Sequence, residues 1–248
     1  MNLDVVSDPI SLNQMGFEAA IIDLDGTMVD TLGDFVQALN LMLGDLNLPG
    51  RQQVDRLLVE RMVGKGSENL IQSVLKHLEA KFLRTHTASE LIAFSSAQTF
   101  DAAFTSYQKH YFAINGQYSQ VYPGVPEGLR DMRRAGLKLA CLTNKPLAFA
   151  EALLRLKGLD GFFSHVFGGD SFERKKPDPM PLLKTCEALG SLPARTLMVG
   201  DSSNDARAAR AAGCPVVLVS YGYNHGQPVR EVDADGFIDS LAEVMGQI

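Results

Sequence analysis

Two carboxylates directly follow a short apolar run near the start of the chain. Residues 19–22 read Ala-Ala-Ile-Ile, and Asp23 and Asp25 come next, ahead of Gly26-Thr27. Four to eight apolar residues that end at a turn signal are typical of a buried strand in a parallel sheet. Ligands bind beyond the carboxyl ends of such strands. Two acids spaced in this way can face one crevice, where one attacks an electrophile or holds a metal and the other transfers protons.

Polar side chains also follow three later apolar runs. They are Thr143-Asn144, Gly168-Gly169-Asp170 and Gly200-Asp201, with Asp205 four residues beyond the last of these. Lys175-Lys176 follows the second of the three runs. Because the carboxyl ends of parallel strands converge on one edge of a sheet, we expect acids, a hydroxyl, an amide and an ammonium group to meet in one pocket.

A group of carboxylates in one crevice cannot remain ionised without a counter-charge. Oxygen ligands without a histidine or cysteine partner favour Mg²⁺, which needs few protein ligands. A divalent cation, a lysine and small hydrogen-bond donors together suit a phosphate group. The residues therefore predict metal-assisted phosphoryl transfer in which an aspartate can be the nucleophile.

The pattern from residue 121 onwards alternates between helix and strand. The predicted strands are 137–142, 165–167, 196–199 and 215–219, and the predicted helices are 125–134, 146–158, 179–189 and 204–212. Such alternation implies a parallel sheet with right-handed crossovers. With the first strand included, it predicts an α/β fold with a Rossmann-like parallel-sheet core.

A helical segment interrupts this core early in the chain. Apolar residues recur at helical spacing over 33–48, 51–61, 67–83 and 88–114, and no convincing strand lies among them. We therefore expect a core formed by residues 1–30 and 116–248, with an inserted α-helical domain at 31–115.

Composition narrows the classes of partner. The net charge of -6 argues against nucleic acid, and Cys141, Cys186 and Cys214 are too widely spaced for a disulfide framework or zinc site. Residues 1–11 have no signal-peptide pattern, and no apolar run approaches the ~18 residues of a membrane span. We expect a cytoplasmic monomer or homodimer that acts on a small metabolite, away from membranes.

Four segments resemble the four motifs of the haloacid dehalogenase-like hydrolases. They are Asp23-Leu24-Asp25-Gly26-Thr27, Leu142-Thr143-Asn144, Lys176-Pro177-Asp178-Pro179 and Gly200-Asp201-Ser202-Ser203-Asn204-Asp205, and they occur in the family's order. The resemblance implies the core fold predicted above, and the helical insertion resembles the family's α-helical cap. The phosphatases of the family have an aspartate at the position of Asp25 and its dehalogenases lack one, so the resemblance favours a phosphatase.

The resemblance also implies roles for the acids. Asp23 is expected to be the nucleophile that forms an aspartyl-phosphate, and Asp25 the general acid for the leaving group and then the base for water. Mg²⁺ is expected to be held by the Asp23 carboxylate, the Asp25 backbone carbonyl and Asp201. Asp205 is expected to support the metal indirectly, although capping of the following helix is an equal alternative.

The remaining motif residues are expected to bind the phosphoryl group. Thr143 and the amide of Asn144 match the residues that contact its oxygens, and Lys176 matches the lysine that neutralises charge between phosphate and nucleophile.

A further likeness narrows the substrate. Arg61-Met62-Val63-Gly64-Lys65-Gly66, Tyr122-Pro123-Gly124-Val125 and Ser220-Tyr221-Gly222-Tyr223-Asn224 look similar to segments of the phosphoglycolate phosphatases. That likeness implies 2-phosphoglycolate as substrate, with Lys65 a candidate partner for its carboxylate. The alternative for Gly64-Lys65-Gly66 is a purely structural role as an interhelical turn. A sugar phosphomutase, another small-metabolite phosphatase and a non-catalytic phosphate-binding module are the alternative functions.

Overall fold

A computed structural model describes residue 12 and residues 15–46, 53–82 and 97–248. Its strands are β1 (Ala19–Ile22), β2 (Val29–Asp30), β3 (Gln120–Val121), β4 (Lys138–Leu142), β5 (His165–Phe167), β6 (Thr196–Gly200), β7 (Val216–Val219) and β8 (Gly236–Ile238). Its helices are α1 (Leu32–Asp45), α2 (Arg56–Glu60), α3 (Ser67–Phe82), α4 (Ala97–Ile114), α5 (Val125–Arg134), α6 (Leu147–Leu156), α7 (Met180–Leu189), α8 (Ser203–Ala212) and α9 (Val244–Gln247).

Six strands form one parallel sheet in the order β5-β4-β1-β6-β7-β8. β1 lies between β4 and β6, and Ile22 is level with Cys141 and Val199. The three strands therefore end together, which brings the polar residues that follow them to one edge. The predicted α/β class, with a Rossmann-like parallel core, is confirmed.

The continuous apolar run of β1 follows from burial on both faces of the sheet. Ala20 and Ile22 pack into one apolar layer, and Ala19 and Ile21 pack into the layer on the opposite face. A central parallel strand that is covered by helices on both sides has no solvent-facing residues, so it shows no alternation of apolar and polar side chains.

The helices α1 to α4, here called the helical segment, have an apolar cluster of their own. Phe35 and Leu39 of α1 pack there with Tyr107 and Tyr111 of α4. Tyr223, from the loop after β7, joins the same cluster. The helical segment therefore packs directly on the loops at the carboxyl edge of the sheet.

Several predicted boundaries differ from the structure. The helix predicted at 51–61 covers only Arg56–Glu60, because Asp55 accepts a hydrogen bond from the Leu58 amide and so fixes the helix start. α4 begins at Ala97. Parts of the predicted helices 33–48, 51–61, 67–83 and 88–114 lie outside the described residues.

Two strand features were not predicted. β8 extends the sheet, and β2 pairs with β3 in an antiparallel ribbon where the chain leaves and re-enters the core. β2 and β3 have two residues each, too few to show a period in sequence. Across the described ranges, we find no helix with the length and apolar character needed to cross a bilayer.

Candidate active site

All but one of the predicted site residues line one cavity between the sheet edge and the helical segment. Its lining includes seven of them: Asp23, Asp25, Thr143, Asn144, Lys176, Asp201 and Asp205. The eighth, Lys65, is exposed and lines a separate outer groove. Asp170 is also exposed and accepts a hydrogen bond from the Leu147 amide at the start of α6.

Three of these acids form a compact buried cluster. Asp23, Asp201 and Asp205 each place a carboxylate oxygen within 4.8 Å of the others. Burial raises the pKa of Asp23 to about 7, with Lys176 opposing the shift and Asp205 adding to it. Burial and the negative charge of Asp205 also raise the pKa of Asp201 well above its usual value. The three carboxylates outnumber Lys176, the lysine that contacts two of them, and they offer hard oxygen donors, so the cluster fits a divalent cation such as Mg²⁺.

Two glycines allow neighbouring loops to approach Asp201. A Cβ atom on Gly26 would lie 2.2 Å from Asp201 Oδ2, and one on Gly222 would lie 2.1 Å from Asp201 Cβ. Gly26 also has a φ of +82°, which disfavours other residues. With this close approach, the Tyr223 amide donates a 2.8 Å hydrogen bond to Asp201 Oδ2.

Lys176 supplies a positive charge in contact with two of the acids. Its Nζ lies 2.9 Å from Asp23 Oδ1 and 2.7 Å from Asp205 Oδ1, and it donates to the Leu142 carbonyl at 2.8 Å. The Asp205 and Leu142 contacts are hydrogen bonds, and the Asp23 contact is an ion pair. Although burial opposes the charge, the two carboxylates raise the pKa of Lys176 above its usual value, so the side chain stays an ammonium.

Asn144 fixes the loop that carries Lys176. The Asn144 side chain accepts from the Lys176 amide at 3.0 Å and donates to the Lys176 carbonyl at 2.9 Å. It also donates to the Gly64 carbonyl, as does Asn204, each at 3.1 Å. The turn that contains Lys65 is thus held to the core through its backbone, and the Lys65 side chain lies outside the cavity.

Asp205 caps α8 and contacts the charged cluster at once. Its Oδ2 accepts from the Ser202 amide while the Ser202 side chain accepts from the Asp205 amide, and these two contacts form a capping box. Oδ2 also accepts from the Ser202 hydroxyl. Its Oδ1 accepts from Lys176. The helix-capping alternative is confirmed.

Thr143 is buried at the end of β4, and its hydroxyl oxygen accepts from the Lys145 amide at 3.2 Å.

Lys145 is a site residue that the sequence analysis missed. Its Nζ lies 2.9 Å and 3.2 Å from the two oxygens of Asp25, and its side chain is 2% exposed. The rings of Phe35 and Tyr111 lie 4.7 Å and 4.9 Å from the same nitrogen. Its position just after Thr143-Asn144 was the available signal, because a lysine next to a strand-end motif lies near the cavity.

We expect Mg²⁺ to raise the melting temperature (Tm) more at pH 8 than at pH 5.5. Since the folded-state pKa of Asp23 lies above the ordinary value of 3.8, folding stabilises its protonated form. Metal-free protein then loses stability as the pH rises from about 4 to about 7, whereas a bound cation replaces the missing proton. Thermal unfolding in EDTA and in excess Mg²⁺ should show a gain of roughly 5 °C or more at pH 8.

The matched variant for this measurement is Asp201→Asn. It removes one carboxylate from the cluster, so both the pH dependence in EDTA and the gain from Mg²⁺ should shrink. An equal gain from Mg²⁺ at the two pH values would contradict the expectation.

The protein has a parallel sheet and, at the carboxyl edge of that sheet, a cavity lined by carboxylates and a lysine. This combination is typical of one class of hydrolases. The sequence model of the haloacid dehalogenase-like hydrolases matches residues 17–213, and the chain belongs to this family. It is 41% identical over 226 residues to a phosphoglycolate phosphatase of Thiobacillus denitrificans. The matched region covers 91% of this chain and 93% of that relative. A plasmid-borne phosphoglycolate phosphatase of Cupriavidus necator is 40% identical, over 90% of this chain and 89% of the relative.

A solved structure shows the same architecture. The crystal structure of a predicted phosphoglycolate phosphatase from Haemophilus somnus superposes with a TM-score of 0.83 at 33% identity. The match covers 93% of this chain and 97% of the other. The resemblance inferred from the four motifs is therefore confirmed over nearly the whole chain.

Proposed function

We propose that the protein is a Mg²⁺-dependent phosphomonoester hydrolase that converts 2-phosphoglycolate to glycolate and phosphate. The observation that carries the proposal is the placement of Asp23, which lies in the buried acidic cluster with Lys176 at 2.9 Å and shares its cavity with Asp25. The relatives named phosphoglycolate phosphatase support the choice of substrate.

Asp23 is the proposed nucleophile. Its carboxylate attacks phosphorus and forms an aspartyl-phosphate, while Asp25 gives a proton to the leaving glycolate oxygen. Asp25 then takes a proton from water, which attacks the intermediate and releases phosphate. The same side chain thus acts as acid and then as base, as microscopic reversibility of the two half-reactions allows.

The remaining residues bind the phosphoryl group and the cation. Thr143 and the amide of Asn144 would contact phosphoryl oxygens, and Lys176 would offset the charge between phosphate and nucleophile. Mg²⁺ would be held by Asp23, Asp201 and the Asp25 carbonyl, with Asp205 in support, and would stabilise negative charge on the phosphoryl oxygens when bound.

The helical segment is the proposed cap. Residues 31–115 would form the cap domain, and residues 1–30 and 116–248 the catalytic core. Phe35, Tyr107 and Tyr111 line the cavity from the cap side, so they would exclude water and bulky substrates. We further propose that the enzyme works in the cytoplasm as a monomer or homodimer; the three cysteines are buried free thiols, as a reducing compartment favours.

Phosphate release from a panel of three phosphomonoesters and one phosphoanhydride tests the proposal. The panel holds 2-phosphoglycolate, a hexose phosphate, a nucleoside monophosphate and pyrophosphate, each with Mg²⁺ and with EDTA. We expect a kcat/KM advantage of at least about 100-fold for 2-phosphoglycolate, lost on chelation. Weak activity on every ester would reject the substrate. Isomerisation of a sugar phosphate that requires a sugar bisphosphate would instead favour the phosphomutase alternative.

A further inference from the structure

Cations that could recognise a substrate carboxylate are scarce in this cavity. Among the described residues that line it, Lys145 and Lys176 are the lysines, and no arginine is present. Lys176 donates hydrogen bonds to Asp205 and the Leu142 carbonyl and forms an ion pair with Asp23, so it is committed to the acidic cluster. Lys65, the cation expected from the sequence, lies in the outer groove. His225 also lines the cavity, but burial lowers its pKa and so favours the neutral ring. Lys145 is therefore the positive charge available to a substrate carboxylate.

The contacts of Lys145 leave part of its ammonium group free for a ligand. Within the described part of the chain, its Nζ hydrogen bonds go to the two oxygens of Asp25 alone. An ammonium has three N–H donors and can bridge two carboxylates, as Lys176 does between Asp23 and Asp205. The rings of Phe35 and Tyr111 hold Lys145 in place and shield it from solvent.

A second observation in the same cavity points to a ligand. The Tyr111 side chain lines the cavity and is 2% exposed, yet its buried hydroxyl has no hydrogen-bond partner among the described residues. Buried hydroxyl groups are nearly always paired, so an orphan of this kind calls for a missing partner. Burial raises the pKa of Tyr111 well above its usual value, which keeps the hydroxyl a hydrogen-bond donor.

The position of this pair matches the shape of the substrate. If Asp25 protonates the ester oxygen, as in the proposed function on which this step rests, the ester oxygen lies against Asp25. The carboxylate carbon of 2-phosphoglycolate is two bonds from that oxygen. A cation in contact with Asp25 is consequently within reach of the substrate carboxylate.

We propose that Lys145 and the Tyr111 hydroxyl form the carboxylate subsite that makes the enzyme selective for small phosphomonoesters bearing a carboxylate. Lys145 supplies the charge and Tyr111 a directed hydrogen bond. The subsite joins a core residue to a cap residue, so it is complete only when the cap packs on the core. Ethyl phosphate, which has a methyl group in place of the carboxylate, lacks the group that this subsite binds.

The test measures kcat and KM for 2-phosphoglycolate and ethyl phosphate with the wild type, Lys145→Met and Tyr111→Phe. We expect the ratio of the two kcat/KM values to fall roughly 100-fold in Lys145→Met and about 10-fold in Tyr111→Phe. The selective part of the loss should appear mainly in KM, because the contact is made before and during reaction. A loss that is common to both esters reports only the effect of Lys145 on Asp25.

The possible results distinguish failure of the proposed subsite from failure of the proposed function. Unchanged ratios in both variants, with a wild type that prefers 2-phosphoglycolate, would overturn the subsite and leave the proposed function standing. A wild type that hydrolyses neither ester would overturn both. If Lys145→Met does not fold, Tyr111→Phe decides alone, because it removes a hydroxyl that has no partner among the described residues and keeps the packed ring.

Discussion

Replacement of Asp23 by asparagine will lower kcat by about 10⁴-fold or more while the protein stays folded. The amide has nearly the shape of the carboxylate but cannot attack phosphorus. It also removes a charge from a cluster where burial and Asp205 already raise the pKa of the acid, so Tm in EDTA at pH 8 should be equal to or above that of the wild type. Phosphate release and thermal unfolding measure the two effects.

The matched control for Asp23→Asn is Asp170→Asn. Asp170 follows β5, which is separated from β1 by β4, and it is exposed and accepts a hydrogen bond from the Leu147 amide outside the cavity. Its variant should keep kcat within about twofold. Wild-type-like turnover by purified Asp23→Asn would falsify the assignment of the nucleophile.

Replacement of Lys176 by methionine will damage both stability and activity. The change leaves Asp23 and Asp205 buried without their cation, and the loss of one partner from such a group costs about 3–5 kcal/mol of unfolding free energy. Turnover should fall by roughly 10³-fold, because the phosphate and the nucleophile lose the charge between them. Urea unfolding in EDTA and steady-state kinetics in Mg²⁺ test these two expectations.

Two further variants test whether the stability loss in Lys176→Met comes from its buried ion pairs. Lys175→Met changes an exposed neighbour and should alter unfolding free energy by no more than about 0.5 kcal/mol. The double variant Lys176→Met with Asp205→Asn removes one of the stranded charges, so it should regain part of the stability but none of the activity. If Lys176→Met were as stable as Lys175→Met, the buried ion pairs would not have the assigned importance.

The sequence predicted most of the site because its signals are local. Asp23, Thr143 and Asp201 each follow an apolar run, and the parallel arrangement of such runs requires their ends to meet. The register of β1 with β4 and β6 brings those ends level. The alternation after residue 121 therefore predicted both the sheet and the edge at which the chemistry lies.

Other residues depend on how distant segments pack. The Lys145–Asp25 ion pair joins residues 120 positions apart, and Tyr111 approaches it only because α4 packs over the sheet edge. Lys65 shows the reverse case. Charge and flanking glycines marked it as a candidate, but the Gly64 carbonyl docks on Asn144 and Asn204 and the lysine side chain lies outside the cavity.

The sequence by itself determined the fold class, the edge of the sheet that holds the site and the acids with Lys176 that occupy it. It could do so because strand ends and their polar residues are adjacent in the chain. Only the tertiary structure decided which cation faces Asp25 and which aromatic groups enclose it. Those contacts depend on where the helical segment packs against the core, and side-chain direction across such an interface has no local signal.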